Sequence, residues 1–235
     1  MKRLVLVLVI IFVSFALVSC AGTKYVTTQE PLKQQLLVDE ARITLEHFLA
    51  DEDLRSFKEY AKRARGLYIV PELYKGAWFF GGSGGRGVLL VRDIDSGEWV
   101  GPAFYDLGSV SLGLQFGGQK SEVIMLVMTR KGLESLLSTT IKLGGDASVA
   151  VGPIGKGAAG ATAPSLHVDY ISYARSMGVF LGMSLDGAVI KENYSWNRAY
   201  YGKPMRPLDI LVAKKAANPH SNKIKDALSE AFPLN

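Results

Sequence analysis

The sequence predicts an α+β protein: a glycine-rich, strongly bent antiparallel sheet, barrel- or sandwich-like, with helices at both chain ends. Three observations carry that prediction. Apolar residues recur at helical spacing before residue 65 and again toward the C-terminus. Between Leu67 and Glu192, short β-branched and aromatic runs alternate with glycine or proline. Eleven of the 25 glycines gather in two blocks, 81–87 and 144–160, where a bent sheet needs residues without Cβ.

Composition bounds the rest. At 235 residues the chain holds one domain with a substantial core, or at most two small ones. Hydrophobic residues make up 48% and charged residues 21%, a globular rather than disordered balance. The glycines show no three-residue period, which excludes collagen. Net charge is +5, or +3 without Lys2 and Arg3, enough for a modest pull toward anionic surfaces. There is no long cationic tract of the kind that marks a nucleic-acid binder, so no nucleic-acid partner is expected. Cys20 is the single cysteine and the histidines are His47, His167 and His220, so neither an internal disulfide nor a Cys/His metal or haem site is expected.

Met1-Lys2-Arg3 is a short positive region, and Leu4 to Val18 is almost unbroken apolar sequence. That length and flank suit a secretory signal peptide and are short for a spanning helix. Leu17-Val18-Ser19-Cys20 resembles the bacterial lipoprotein cleavage box. The resemblance implies residues 1–19 as signal peptide and Cys20 as an acylated mature N-terminus. Multiple acyl chains, at about 0.8 kcal/mol per buried CH₂, anchor such a protein firmly. Ala21 after the cysteine resembles the pattern sorted to the outer membrane. Residues 20–30 read as a polar tether, and residues 31–235 as the domain.

Leu36, Leu37, Ala41, Leu45, Phe48 and Leu49 predict an amphipathic helix from Gln34 to Ala50. Asp51-Glu52-Asp53 offers N-cap chemistry for a second helix, Asp53 to Arg65, with Gly66 as its C-cap residue. Leu54, Phe57, Tyr60, Ala61 and Ala64 form its apolar stripe. Arg55, Lys58, Lys62, Arg63 and Arg65 make it cationic, most densely at the C-terminal end, where they suit the macrodipole. A solvated face is the ordinary role of such a cluster, and contact with lipid headgroups is the functional one.

From Leu67 the period changes. Leu67–Val70, Trp78–Phe80, Val88–Asp93, Trp99–Phe104, Val110–Phe116 and Glu122–Met128 read as successive strands. Gly82, Gly84 and Gly87 match the dinucleotide fingerprint G-x-G-x-x-G letter for letter, but that motif needs a helix after the glycines. Val88-Leu-Leu-Val91 reads as a strand, so the block is expected to be a strand corner that binds no nucleotide. Arg130 to Thr139 reads as a short helix.

Gly155-Lys156-Gly157 invites comparison with a phosphate loop. Ala150 stands where that motif needs its first glycine, and Gly157 where it needs a hydroxyl, so the comparison fails. Ala147 to Val151 reads as a strand and Pro153 to Ala163 as a loop. Leu166–Ala174 and Val179–Leu185 suggest a hairpin, and Asp186-Gly187 a second tight turn into Ala188–Glu192. Ser165, His167 and Asp169 alternate on one strand, so their side chains lie side by side. A catalytic triad needs its serine and acid on opposite sides of the imidazole. Glu192–Tyr201, Leu208–Lys215 and Asn222–Phe232 read as helices, with Tyr194, Trp196, Tyr200 and Tyr201 more suited to core packing than to a membrane interface.

Six segments, in order, resemble the SYLF domain, a family found in bacterial lipoproteins and in eukaryotic SH3- and FYVE-containing proteins. They are Ala64–Val70, Lys75–Val91, Trp99–Ala103, Gly113–Gln119, Leu143–Pro153 and Ile171–Gly187. Each alone is only glycine and apolar residues; the specificity lies in their shared order. The resemblance implies a non-catalytic phospholipid-binding module without cofactor, and actin binding is known for some eukaryotic relatives. The expected partner is therefore a phospholipid membrane, with another envelope protein as the alternative. The residues expected to meet lipid are Lys58, Lys62, Arg63 and Arg65, with Lys75 and Arg86 flanking the glycine-rich stretch.

Overall fold

A computed structural model describes residues 32–77, 81–111, 117–155, 168–176, 179–181 and 184–233. Helix α1 (Lys33–Ala50) leads through a 3₁₀ turn (Glu52–Leu54) into α2 (Arg55–Arg63). Four long strands follow: β1 (Gly66–Ala77), β2 (Gly81–Arg92), β3 (Trp99–Ser111) and β4 (Gly117–Val127). After α3 (Arg130–Leu136) come the short strands β5 (Thr140–Lys142) and β6 (Val149–Val151). Strands β7 (Tyr170–Ser176), β8 (Val179–Leu181) and β9 (Val189–Glu192) complete the sheet. Helices α4 (Tyr194–Tyr201), α5 (Pro207–Leu211) and α6 (Asn222–Ala231) close the chain.

The expected α+β class, with a curled sheet and helices at both ends, is the one observed. The strand order is β5-β9-β3-β2-β1-β4-β7-β6, and β8 also pairs with β7. Every pairing is antiparallel except β6 with β7, which makes the sheet mixed rather than purely antiparallel.

Strand alternation sends side chains to two apolar layers. On one face Ile69, Leu90, Phe104, Ile124 and Ile171 pack under α1, α2 and α6 through Leu45, Phe48, Phe57 and Leu228. On the other, Val70, Leu89, Tyr105, Met125 and Ala174 meet Leu136, Ile210 and Leu211 from α3 and α5. Both faces of the central strands are therefore buried, which explains the unbroken apolar run Val123–Val127.

Several local expectations need correction. Helix α2 ends at Arg63, and Ala64 is already extended at φ −69°, ψ 141°. The reason is that the chain has joined the sheet: the Arg65 N–H donates to Val127 O at 2.7 Å and Arg65 O accepts from the Arg92 N–H at 2.8 Å. Gly66 is thus the first residue of β1, not a helix cap; a Cβ there would lie 2.8 Å from Leu90 O. The glycines from Gly81 onward are not a corner between strands either. They lie within β2, hydrogen-bonded in register to β1 and β3 on both sides, with no helix N-terminus following. What survives of the expectation is the bulge: the β1–β2 register shifts between Ile69 and Glu72, beside Gly85 and Gly87.

Asp186-Gly187 does form a turn, with Gly187 at φ +79° and the Ala188 N–H donating to Leu185 O at 3.0 Å. It does not make a hairpin, because β8 pairs with β7 whereas β9 pairs with β3 and β5 at the other side of the sheet. The runs Trp78–Phe80 and 112–116, the loop 156–167 and the lipobox around Cys20 lie outside the described residues.

Candidate functional site

The 3₁₀ turn that leads into α2 is capped by Asp51, whose Oδ1 accepts the Asp53 N–H at 2.8 Å; α2 itself begins at Arg55 without a side-chain cap. The helix is held by Phe57 and Ala61, both fully buried, on the face opposite its cations. Lys62 and Arg63 are exposed in its last turn, and Lys58 and Arg65 are half-buried. Lys62 and Arg63 border a surface recess of about 350 Å³ with Glu59 and Tyr60. Among the described residues, Lys58, Lys62 and Arg63 make no ion pair, unlike Lys120, Arg175, Lys214 or Lys215. Glu59 lines the same recess, but it is not within ion-pair distance of these cations.

The six cations expected from the sequence do not form one site. Arg65 precedes the first residue of β1, while Lys75 stands near that strand's far end, roughly 30 Å away at strand rise. Arg86 lies on β2 opposite Glu72 and Asp106, nearer to Lys75 than to α2. Its Nε donates to Asp106 Oδ1 at 2.8 Å, and its guanidinium lies 4.0 Å from the Trp196 ring centroid. So Arg86 is a held side chain, in contrast to the free cations of α2.

Around Arg86 the sheet carries a feature that the sequence reading missed. Across neighbouring strands on the α1 side stand Lys191, Asp106, Arg86, Glu72 and Lys120, followed by Glu122 and Arg175. The signs alternate along the row. Arg86 pairs with Asp106, Lys120 with Glu72, and Arg175 with Glu122 at 2.9 Å. Cross-strand pairs of opposite charge contribute about 0.2–1 kcal/mol each. The Asn193 amide donates to Asp106 Oδ2 at 2.9 Å, and His47 of α1 reaches Glu122 at 2.8 Å. The Tyr74 hydroxyl donates to Glu72 at 2.6 Å. Hydrogen bonds from Lys120 and then Tyr74 hold the Glu72 carboxyl below its ordinary range. Glu40 of α1 is shifted the other way, by burial first and the nearby Glu72 charge second. The signal in the sequence is single charges set in apolar strands, as in Ala103-Phe-Tyr-Asp-Leu107, and only the strand register shows that they align.

Beyond this row the sheet continues as its glycine-rich half, and between that half and α1 runs an open groove of about 550 Å³. Its lining includes Leu36, Glu40, Tyr74, Gly84, Arg86 and Trp196.

Asp169 has a structural environment. It accepts from the Ser148 N–H at 2.9 Å and Oγ at 3.0 Å, and from the Thr129 hydroxyl. Burial pushes its carboxyl up, but these donors outweigh it and leave the group below the ordinary aspartate range. Its acceptor capacity ties β6, β7 and the start of α3 together. Ser165 and His167 lie outside the described residues.

Residues 108–231 match the family described as Ysc84, Las17-binding protein actin regulator. That span begins within β3, so α2 and Arg86 precede it. The chain is also similar to curated proteins over a longer stretch. It is 26% identical over 176 residues to SH3 domain-containing YSC84-like protein 1 of Bos taurus, covering 73% of this chain and 51% of that one. To Protein YSC84 of Saccharomyces cerevisiae it is 31% identical over 175 residues, covering 73% and 37%. To LAS seventeen-binding protein 3 of the same yeast it is 33% identical over 144 residues, covering 60% and 31%. The chain thus spans about half the length, or less, of the curated relatives it matches.

Proposed function

The chain belongs to the Ysc84 family, and from that premise we propose that its domain is a non-catalytic module that binds anionic phospholipid surfaces, held to a bacterial envelope membrane by acyl chains on Cys20. The observation that carries this reading is the end of α2. Lys58, Lys62 and Arg63 stand on one side of a helix whose other side is buried, and no described carboxylate pairs with them. Each cation near an anionic surface contributes about 1 kcal/mol, screened beyond about 10 Å at 0.1 M salt. Two or three such contacts are weak alone, and an acyl tether raises the effective concentration until they are occupied. Lys75 and Arg86, distant from α2 along β1 and β2, have no part in this surface.

The test is cosedimentation with vesicles containing phosphatidylglycerol, using protein that lacks residues 1–20. Reversing the charges of Lys62, Arg63 and Arg65 is expected to lower binding at least tenfold at low salt, with an unchanged circular dichroism spectrum. Equal binding by wild type and triple variant overturns the reading. The anchor is tested separately by fractionating cells that express Cys20→Ser. That variant is expected to leave the membrane pellet or persist as uncleaved precursor, and an unacylated mass for the purified wild type would refute lipidation. In such an envelope protein, Ala21 and the lipobox support the periplasmic face of the outer membrane.

A second reading, an envelope protein that binds another protein while only its anchor meets lipid, is favoured by the family description and by one relative, both named for Las17 binding. Loss of all vesicle binding on removal of residues 1–20 supports that reading over the first.

A further inference from the structure

The groove between α1 and the glycine-rich half of the sheet uses none of the α2 cations, and its chemistry is different. Its floor is bare backbone for a reason that packing does not supply. Gly85 and Gly87 are glycine by necessity, since a Cβ at either would lie 2.5 Å from a β1 carbonyl oxygen. At Gly84 a Cβ would meet nothing within 4 Å among the described residues, and Gly84 lines the groove. Its cross-strand neighbour on β3 is also a glycine, Gly108, where the nearest atom to a Cβ would be 3.8 Å away. The absence of side chains there opens the floor rather than relieving a clash.

The charged groups beside that floor are positioned in advance. Arg86 is fixed by Asp106 at its Nε and by stacking on Trp196, and Asp106 is fixed in turn by Asn193. Its terminal N–H groups have no hydrogen-bond partner among the described residues, and a guanidinium takes phosphate or carboxylate in a two-pronged contact. Glu72 is fixed by Tyr74 and Lys120, and Glu40 faces the same groove from α1. Glu40, Glu72 and Asp106 outnumber Lys33 and Arg86 in the lining, so a simple anion is poorly served. A simple cation would meet Arg86 and Lys33. A ligand carrying both charges suits all of them. Glu72 and Arg86 are direct cross-strand partners, which sets the two charges about 5 Å apart at the backbone. Leu36 and Trp196 supply apolar wall beside them.

We propose that this groove binds a compact zwitterion, a phosphate bearing an ammonium a few bonds away, as in an ethanolamine phospholipid headgroup. The phosphate sits on the terminal N–H groups of Arg86, and the ammonium sits between Glu40 and Glu72. The inference goes beyond the α2 surface and stands without it, because it needs neither an anionic bilayer nor the α2 cations.

The test uses full-length protein in a maltoside detergent, which has neither phosphate nor amine, titrated calorimetrically with monomeric dihexanoyl phosphatidylethanolamine. Saturable binding is expected, at least tenfold tighter than for dihexanoyl phosphatidic acid, which lacks the ammonium. Arg86→Gln and Glu72→Gln should each weaken it at least tenfold. Gly84→Val is the variant that separates binding from folding: no described atom lies within 4 Å of the added Cβ, so the melting temperature stays while binding is lost. A parallel titration with O-phosphoethanolamine distinguishes the sources, since equal affinity assigns a free small molecule and weaker affinity a lipid. No saturation with either ethanolamine probe, phosphatidic acid binding as tightly as phosphatidylethanolamine, or undiminished binding by folded Gly84→Val overturns the proposal. These outcomes are independent of vesicle cosedimentation by the α2 variant.

Discussion

Replacing Phe57 by alanine is expected to destabilise the domain by about 3–5 kcal/mol, the range for removing a buried aromatic ring. Phe57 is fully buried and stands where three parts of the chain meet. Its ring lies 5.5 Å from Phe48 of α1, 5.4 Å from Tyr173 of β7 and 6.2 Å from Phe232 beyond α6, each contact edge-on. Such aromatic pairs contribute about 0.5–1.5 kcal/mol beyond area burial. The surrounding groups are themselves fixed: Tyr173 reaches Ser56 at 3.3 Å, and Ser56 donates to Pro153 O. A cavity at this junction therefore closes poorly, which puts the cost at the upper part of the range. In a chain of this size each kcal/mol moves the melting midpoint by about 2–4 °C, so the variant should melt about 10 °C lower. Thermal and urea unfolding measure it. A loss under about 1 kcal/mol would mean that α2 does not pack its apolar face onto the sheet as described, and the outward orientation of Lys58, Lys62 and Arg63 would fail with it.

Helices and strands were legible where one face dominates the pattern. Leu37, Ala41, Leu45 and Phe48 placed α1 within a residue of its observed start, because a helix reports its buried face every three or four residues. The apolar stripe of α2 was equally clear, although the helix stops two residues early. Its end was misplaced because Gly66 has two readings in sequence, a helix cap or a close strand contact, and only the Leu90 carbonyl behind it decides. Strand partners were much less legible. Asp186-Gly187 is a genuine turn, and a turn signal says nothing about whether the strands it joins are neighbours; β9 crosses to β3 and β5 instead. Strand β5, only three residues long, is too short to show alternation and falls between the helix read to Thr139 and the glycine block from Gly144, where the sequence reading has no strand. The same blindness to pairing explains the candidate site. In sequence Lys75 and Arg86 group with α2 because they flank a nearby motif, whereas the lengths of β1 and β2 carry them to another part of the sheet. The alternating row from Lys191 to Arg175 draws one or two charges from each of six strands, and no stretch of sequence shows it whole.

The glycine-rich stretch itself is expected to divide in two when tested by mutation. Gly87→Ala should lower stability by about 3 kcal/mol, at the upper end of the ordinary cost of overpacking. A Cβ at residue 87 would lie 2.5 Å from Ile69 O and 2.8 Å from both Tyr68 Cε2 and Val70 Cγ2. The nearest obstacle is backbone inside the β1–β2 ladder, so it cannot step aside as the end of a flexible side chain would. Relief requires separating two central strands, whose neighbours Val88, Leu89 and Leu90 are fully buried on both faces. Moving them disturbs both apolar layers. Gly84→Ala, three residues away on the same strand, should change stability by less than about 1 kcal/mol, since no described atom lies within 4 Å of the added carbon and a strand interior slightly favours alanine over glycine. Chemical denaturation of both variants measures the contrast. Equal losses at the two positions would mean that the whole stretch serves packing, which would remove the bare floor as an argument for a ligand in the groove. A large loss at Gly87 with none at Gly84 assigns the first glycine to the bulge in β1 and leaves the second for the space above the sheet.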